Sequence, residues 1–378
     1  MSALRKPIEF IDLNAQRTHM GAAVDQAILR VVNHGGYIMG PEIQALEREL
    51  SQWGGAKHAI TCSNGTDAIV MILMAKNIGK GDAVLVPSFT FAATAEAVAL
   101  RGGTPIFVDV EEGSFNLCST SLAKGLALAK EQGLTPRGVI SVDLFGQPAD
   151  YDAIESFCKA NNLWLISDAA QSFGANYKGR KVGSIGMATT TSFFPAKPLG
   201  CYGDGGAVFT DDDGLANIMM SLRVHGKGTH KYDNARIGVN ARLDTLQAAV
   251  LLEKLKIFGD EIIARQRVAE RYNEALKDIA HVPFVPSDVQ STWAQYTLRF
   301  DRVSRDTVAE KLKAAGVPTA IYYPKPLHQQ TAYAAYPRVA DLAVSEKLAQ
   351  QVLSLPMHPY LDTATQDYII EEVRRAVV

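Results

Sequence analysis

The sequence has little that would direct it to nucleic acid or into a membrane. Its 378 residues carry 38 Lys and Arg against 40 Asp and Glu, so the formal net charge is −2 and no excess of basic residues is available to bind a polyanion. Its apolar runs are shorter than a membrane-spanning helix. We therefore expect no nucleic-acid partner and no membrane insertion, and we look for partners among small molecules and other protein subunits.

Cysteine is scarce as well. The four cysteines form no C-x-x-C pair and have no histidines at the spacing of a zinc site, which predicts reduced, mostly buried thiols and no metal centre. Residues 1–9 lack the apolar core of a signal peptide. Both features favour a cytoplasmic protein.

Two glycine-rich phosphate-binding motifs are also missing. Neither G-x-x-x-x-G-K nor G-x-G-x-x-G occurs at the predicted turns between strands and helices. A P-loop nucleotidase is therefore excluded, and a nucleotide-sugar dehydrogenase is disfavoured.

From about residue 57, short apolar segments alternate with amphipathic ones. Continuous apolar strands separated by helices predict an α/β fold with a mostly parallel sheet covered on both faces. The predicted strands are 58–62, 83–86, 105–110, 138–142, 163–167, 188–193 and 206–210. Because no long helix separates the last two strands, we expect part of the sheet to be antiparallel.

The length of the chain suits one large domain and one smaller domain. A helical pattern over 243–276, either one helix or two with a bend, leads from the first to the second. We predict a large domain with an N-terminal segment over 1–255 and a small C-terminal α+β domain over 256–378.

Ligands of an open parallel sheet bind beyond the carboxyl ends of its strands. The strand 58–62 is followed by SNGTD at 63–67, where backbone N–H groups and hydroxyls at a helix start suit a phosphate group; a plain helix cap explains these residues equally well. After 83–86, Phe89 and Phe91 alternate, so one ring should face the ligand cleft unless both lie in the core.

Asp168 ends the strand that begins at 163, after largely apolar residues. A carboxylate in this position needs a cation or a hydrogen-bond donor, and a protonated pyridine nitrogen would be such a partner. Gln171 would then donate to a phenolic oxygen of the same ring. The alternative is an Asp that caps the following helix.

Lys197 lies between Pro195 and Pro198, ahead of a glycine-rich turn and after two phenylalanines. Proline disfavours helix here, and partly apolar surroundings lower the pKa of an amine and make it a nucleophile for a carbonyl group. The alternative is a loop lysine whose charge reaches water. Taken together, a phosphate site, a stacking ring, an aspartate and this lysine match the needs of pyridoxal 5′-phosphate.

Several segments resemble the signatures of the DegT/StrS-type sugar aminotransferases, and the match runs in order over nearly the whole chain. They are SNGTDA at 63–68, PSFTFAAT at 87–94, DAAQ at 168–171, SFFPAKPLG at 192–200 and NARLDTLQA at 240–248. The resemblance implies the fold-type I, aspartate-aminotransferase-like architecture. It also implies pyridoxal 5′-phosphate as cofactor, which becomes pyridoxamine 5′-phosphate in the half-reaction.

The resemblance also implies roles for the residues that contact the cofactor ring. Lys197 would bond the cofactor covalently and move protons, and Asp168 would pair with the pyridine nitrogen. Gln171 would contact the ring hydroxyl oxygen, and Phe91 would stack on the ring.

The cofactor phosphate would be bound by Gly65, Thr66 and Ser192, according to the same resemblance. Asn240 would assist from the neighbouring subunit of a homodimer, in which the active sites are shared. Arg242 would cross the same interface towards the sugar or its nucleotide.

The implied reaction is transamination of a nucleotide-linked keto sugar with L-glutamate, for the amino sugars of bacterial surface polysaccharides such as lipopolysaccharide. Within the family, the chain resembles enzymes acting on UDP-linked 3-keto hexuronates, through KPLGCYGDGGA at 197–207 and the segment 354–360. Its substrate loop, however, reads Tyr322-Tyr323-Pro324 and continues to His328, where a His-Tyr-Pro sequence is usual. A 3- or 4-keto-6-deoxyhexose therefore stays open, with Tyr322, Tyr323 and His328 as predicted sugar contacts.

Two alternatives within the family are a sugar dehydratase and a non-catalytic regulatory protein. Such dehydratases carry histidine at the position of the lysine, so Lys197 argues against the first. Retention of Lys197, Asp168 and Gln171 together argues against the second.

Overall fold

The computed structural model describes residues 7–230 and 232–377, so most of the segment 1–9 considered above lies outside the described part. The strands are β1 (His58–Cys62), β2 (Asp82–Pro87), β3 (Thr104–Val108), β4 (Thr135–Val142), β5 (Trp164–Asp168), β6 (Asn176–Tyr177), β7 (Arg180–Lys181), β8 (Ala188–Ser192), β9 (Gly206–Thr210), β10 (Val289–Gln290), β11 (Tyr296–Arg299) and β12 (Val352–Leu355).

The helices alternate with these strands up to β5 and dominate the C-terminal third. They are α1 (Leu13–Met20), α2 (Ala23–His34), α3 (Pro41–Gly54), α4 (Gly65–Ala75), α5 (Ala93–Leu100), α6 (Ser119–Glu131), α7 (Tyr151–Ala160), α8 (Asp213–Leu222), α9 (Thr245–Leu276), α10 (Arg305–Ala314), α11 (Ala343–Gln351) and α12 (Thr363–Val377). No helix in these described ranges is long and apolar enough to cross a bilayer.

Proline and glycine set the ends of α2 and α3. Pro41 occupies the first turn of α3, where its missing N–H costs no hydrogen bond. Gly35 and Gly55 follow α2 and α3 in the left-handed conformation, with φ of 70° and 71°, which a residue with a side chain adopts less readily.

The main sheet has seven strands in the order β1-β9-β8-β5-β4-β2-β3. β8, β5, β4, β2 and β3 pair in parallel, whereas β9 is antiparallel to both of its neighbours, β1 and β8. This confirms the predicted mostly parallel sheet with an antiparallel part. Because every strand except β9 runs in one direction, the carboxyl ends of β1, β2, β4, β5 and β8 meet along one edge.

Helices α4 to α8 pack on the sheet, and the long helix α9 packs on α2 and α3. α9 is one continuous helix, which decides between the two possibilities left by the pattern over 243–276. Its residues up to Ile262 belong to a core shared with α3 and β9, and those from Val268 onward belong to the core of the C-terminal part.

The C-terminal part is built on the antiparallel pair of β11 and β12, with α10 and α12 packed nearby. This matches the predicted α+β character of the region. The predicted boundary at 255/256 falls within α9, and the division into two domains stays a prediction.

Candidate active site

Lys197 lies in a closed loop that follows β8. The loop is fastened at its base, because the Phe193 N–H donates to the Gly205 carbonyl (2.8 Å) and the Cys201 N–H donates to the Phe193 carbonyl (2.8 Å). A Cβ at Gly200 would approach the Pro195 carbonyl oxygen to 2.4 Å, so only glycine allows this closure. The loop therefore presents Lys197 on a stiff backbone.

Burial lowers the pKa of the partly buried Lys197 amine, and the charge of Asp168 opposes this shift. Asp168 ends β5 and is paired in register with Thr190 of the parallel strand β8. Burial raises the pKa of the Asp168 carboxyl, while the Ala170 N–H (3.0 Å) and Lys197 lower it. The two predicted catalytic groups are thus electrostatic neighbours at one edge of the sheet.

The structure fixes the orientation of the Gln171 amide. Its Oε1 accepts a hydrogen bond from the Phe145 N–H (2.6 Å), so the Nε2 donor points the other way, towards the Tyr323 hydroxyl (3.4 Å). The Thr292 hydroxyl donates to the backbone carbonyl of Gln171 (2.8 Å). Gln171 therefore offers a donor, the group that a phenolic oxygen of a ring requires.

The segment 63–67 forms the start of α4. The Asn64 side chain caps the helix by accepting from the Asp67 N–H (2.8 Å), and the Ser63 hydroxyl donates to the Asp67 carboxylate. The helix cap and the phosphate site expected from the sequence are compatible here. A capped helix start still leaves its first N–H groups, at Gly65 and Thr66, available to an anion. The Ser63 hydroxyl itself is directed to Asp67.

Gly65 faces Ser192 across this helix start. A Cβ at Gly65 would lie 2.9 Å from the Ser192 Cβ and 3.4 Å from its Cα. The absence of a side chain at Gly65 therefore keeps this space between α4 and the end of β8 open. Gly65 and Ser192 are therefore adjacent, with Thr66 next to Gly65 in α4, and their binding of a phosphate stays a prediction.

The two phenylalanines after β2 differ sharply. Phe89 is 1% exposed and belongs to a hydrophobic core, whereas Phe91 is 58% exposed, with its ring centroid 6.3 Å from that of Tyr323. Phe91 is thus the ring available for stacking on a ligand.

The predicted substrate loop 322–328 reaches this edge of the sheet. The ring of Tyr322 lies 6.3 Å from that of Phe10 and 5.9 Å from that of Tyr323, between centroids. Burial raises the pKa of the Tyr323 hydroxyl. Both tyrosines therefore extend the aromatic wall that Phe91 begins.

His328 does not join this wall. It is 5% exposed, with Nδ1 2.6 Å from the Ser88 hydroxyl and Nε2 3.1 Å from the Glu346 carboxylate. Because both ring nitrogens are occupied, these contacts do not fit the predicted direct contact with a sugar. They fit the anchoring of the loop to the end of β2.

Asn240 and Arg242 flank Ala241, whose carbonyl accepts from the Ser63 N–H (3.2 Å) beside the phosphate site. Asn240 is exposed. The buried Nε of Arg242 has no hydrogen-bond partner within residues 7–230 and 232–377. Their action across a subunit interface stays a prediction.

Three residues around Gln171 were not predicted from the sequence: Phe145 and Thr292, which bind Gln171 itself, and Asp143, which binds the neighbouring Ser172. Asp143 follows the predicted strand 138–142 directly, so the rule of inspecting strand ends would have found it. Phe145 has a φ of 62°, and Thr292 is distant in sequence; neither position carries a local signal.

The residues present fit pyridoxal 5′-phosphate. An amine beside a buried carboxylate, an oriented amide donor, an exposed ring and a cradle that a Cβ would fill are the groups that the ring and the phosphate need. No group of three or more His, Cys, Asp or Glu that could bind a metal occurs among the described residues.

Known proteins are similar to this chain over nearly its whole length. The model of the DegT/DnrJ/EryC1/StrS aminotransferase family matches residues 18–374. The UDP-2-acetamido-2-deoxy-3-oxo-D-glucuronate aminotransferase of Pseudomonas aeruginosa is 49% identical over 361 residues, which cover 95% of this chain and 97% of that protein.

Two solved structures are similar over nearly their full lengths. A DegT/DnrJ/EryC1/StrS aminotransferase from Brucella abortus has a TM-score of 0.95 and 51% identity, covering 97% of this chain and 99% of that one. DesV of S. venezuelae has a TM-score of 0.92 and 36% identity, covering 99% of both chains.

Proposed function

Because this chain belongs to the DegT/DnrJ/EryC1/StrS aminotransferase family of pyridoxal 5′-phosphate-dependent enzymes, which act on nucleotide-linked keto sugars, we propose that it aminates a UDP-linked 3-keto hexose or hexuronate. L-Glutamate is the amino donor in this proposal, and the product serves the synthesis of bacterial surface polysaccharide in the cytoplasm. The 49% identity to an enzyme named for a UDP-linked 3-oxo-glucuronate carries the choice of sugar.

Lys197 is the proton carrier of the proposed reaction. When bound, pyridoxal 5′-phosphate supplies a ring that withdraws electrons from the substrate carbon. With its pKa lowered by burial, Lys197 can accept the proton from Cα of the amino donor and later return a proton to the sugar carbon that receives the nitrogen. The proton is then transferred between groups that lie close together at one edge of the sheet, where water is partly excluded.

Asp168 and Gln171 would each bind one polar position of the cofactor ring, Asp168 the pyridine nitrogen and Gln171 the ring oxygen. A carboxylate stabilises a protonated pyridine nitrogen, and the amide Nε2 donates to the ring oxygen. Phe91 covers one face of the ring, and Gly65, Thr66 and Ser192 bind the phosphate. Tyr322 and Tyr323 contact the sugar.

A homodimer completes the proposed site. Asn240 reaches the cofactor phosphate of the partner subunit, and Arg242 pairs its guanidinium with an anionic group of the sugar nucleotide. The buried Nε of Arg242, which has no acceptor among residues 7–230 and 232–377, supports this assignment, because a buried donor without an acceptor is costly unless a ligand supplies one.

The central test replaces Lys197 with Ala. Purified enzyme is incubated with glutamate and a panel of UDP-, dTDP- and GDP-linked keto sugars while 2-oxoglutarate release is followed. We expect activity with a UDP-linked 3-keto sugar and none for the Lys197→Ala variant. Lys159→Ala, on the exposed side of α7, is the matched control. Turnover by Lys197→Ala would refute the assignment, and preference for a 4-keto sugar would refute the substrate.

The shared site is tested by mixing two inactive variants. Lys197→Ala and Asn240→Ala subunits are unfolded together and refolded, so that half of the dimers are hybrids. If Asn240 acts in trans, each hybrid has one intact site, and about a quarter of the wild-type activity returns. Full activity of an isolated monomer would contradict the proposal.

A further inference from the structure

A second buried carboxylate lies behind the candidate site. Asp143 has no exposed surface, and its side chain accepts hydrogen bonds from the Tyr151 hydroxyl (2.5 Å), the Ser172 hydroxyl (2.6 Å) and the Ala149 N–H (2.9 Å). The Tyr151 hydroxyl also lies 2.7 Å from that of Ser167. Three donors on one buried carboxylate are the arrangement that a negative charge requires.

Asp143 is joined to both ends of the turn that carries the predicted ring contacts. Its N–H donates to the Asp168 carbonyl (3.1 Å), and its side chain binds Ser172, the neighbour of Gln171. The preceding residue, Val142, is paired in register with Asp168. One residue at the end of β4 therefore ties the turn 168–172 to the sheet.

The charge of Asp143 is coupled to the site. Burial raises the pKa of its carboxyl to about 7, opposed by the hydrogen bonds from Ser172, Tyr151 and Ala149, and the Asp168 carboxylate adds to the rise. The groups that face Asp143 are Tyr151, whose own pKa burial raises, and Asp168, with Lys197 beyond it. A cation bound at Asp168 would favour the ionised form of Asp143.

We propose that Asp143 is a positioning residue that holds Asp168 and Gln171 in place for the cofactor ring, and that its negative charge strengthens cation binding at Asp168. The inference rests on the proposed roles of Asp168 and Gln171. A neutral side chain of the same shape would keep part of the hydrogen bonding and lose the charge, so the two contributions can be separated by substitution.

The test uses Asp143→Asn and enzyme reconstituted with pyridoxal 5′-phosphate. We expect the dissociation constant of the cofactor to rise about tenfold. The midpoint of the pH titration of the visible absorbance should fall by about half a unit, because removal of a nearby negative charge favours deprotonation of the cationic site. Both are measured on protein whose melting curve remains cooperative.

Tyr151→Phe is the second variant. It keeps the carboxylate but removes one donor that stabilises its charge, so both quantities should move in the same direction and by less. This variant keeps the test decisive if Asp143→Asn does not fold.

Asp109→Asn is the matched control. Asp109 is a similarly buried carboxylate that accepts from the Ser345 hydroxyl (2.6 Å), the Ser345 N–H (2.8 Å) and the Val344 N–H (3.1 Å), none of them in the turn 168–172. It should lower the melting temperature and leave the cofactor titration unchanged.

Wild-type values in Asp143→Asn, or in Tyr151→Phe where the first variant does not fold, overturn the inference, as does an equal shift in Asp109→Asn. If the wild-type protein develops no visible absorbance with pyridoxal 5′-phosphate, the proposed function fails instead. The two failures are therefore distinguished by the wild-type spectrum.

Discussion

Replacing Gly65 with Ala adds one methyl group to the proposed phosphate site. The new Cβ would lie 2.9 Å from the Ser192 Cβ, closer than such carbons approach in real structures, and 3.4 Å from the Ser192 Cα. Ser192 cannot move away freely, because it ends β8 and is paired in register with Gly206 of β9. The methyl group must therefore narrow the space between α4 and β8.

The expected cost follows from overpacking. One extra carbon in a well-packed site costs about 1–3 kcal/mol. If crowding of the bound phosphate by the same methyl group costs about a further 2 kcal/mol, cofactor affinity falls about thirtyfold.

The assay is a titration of pyridoxal 5′-phosphate followed by visible absorbance, with a melting curve of the cofactor-free protein. We expect a weaker dissociation constant and a lower melting temperature of the cofactor-free protein, because the contact between the new methyl group and Ser192 exists without the cofactor. Gly79→Ala is the control, because a Cβ there meets no atom within 4 Å. Unchanged cofactor affinity in Gly65→Ala would refute the location of the phosphate between α4 and β8.

Two further variants probe the loop contact and the buried charge on α9. Ser88→Ala removes the 2.6 Å hydrogen bond with His328, which is worth about 1 kcal/mol. The variant should have a severalfold higher KM for the keto sugar, with little change in the glutamate half-reaction measured by stopped-flow kinetics. Equal effects on both half-reactions would contradict an anchoring role. Lys254 is 1% exposed, and burial lowers its pKa from 10.5 to about 8, so the unfolded chain binds more protons between these values and stability rises with pH there. Lys254→Met should therefore be more stable than the wild type by up to about 3 kcal/mol at pH 7, less the stabilisation lost with the contact between Lys254 and the Tyr202 ring. Thermal melts should show that this advantage is gone by pH 10.5. Equal stabilisation at both pH values would refute the lowered pKa of Lys254.

The strands, and the closeness of Asp168 and Lys197, could be predicted from sequence because their signals are local. Two of these patterns can be interpreted without knowing the rest of the chain: the apolar run that ends at Asp168, and the lysine between two prolines. The antiparallel placement of β9 was also predictable, from the short connection that precedes it. These features depend on neighbouring residues alone.

Other features depend on contacts between distant parts of the chain. The pattern over 243–276 is the same for one helix or two, and only packing on two cores keeps α9 continuous. His328 is of a residue type that often contacts ligands. Both of its ring nitrogens, however, form hydrogen bonds with residues distant in sequence, Ser88 and Glu346. Hydrophobic periodicity and residue type do not predict such contacts between distant residues.

Gln171 shows how closely the two parts of the site are connected. Phe145 fixes its amide oxygen, Thr292 binds its backbone carbonyl, and Tyr323 of the proposed sugar loop accepts from its Nε2. An amide nitrogen carries two N–H donors, so one can serve Tyr323 while the other serves the cofactor ring. Loss of the Tyr323 hydroxyl would leave one of these N–H donors without its acceptor, so we expect substitutions at Tyr323 to affect the hydrogen bonding of the donor proposed for the ring oxygen as well as the proposed sugar contact.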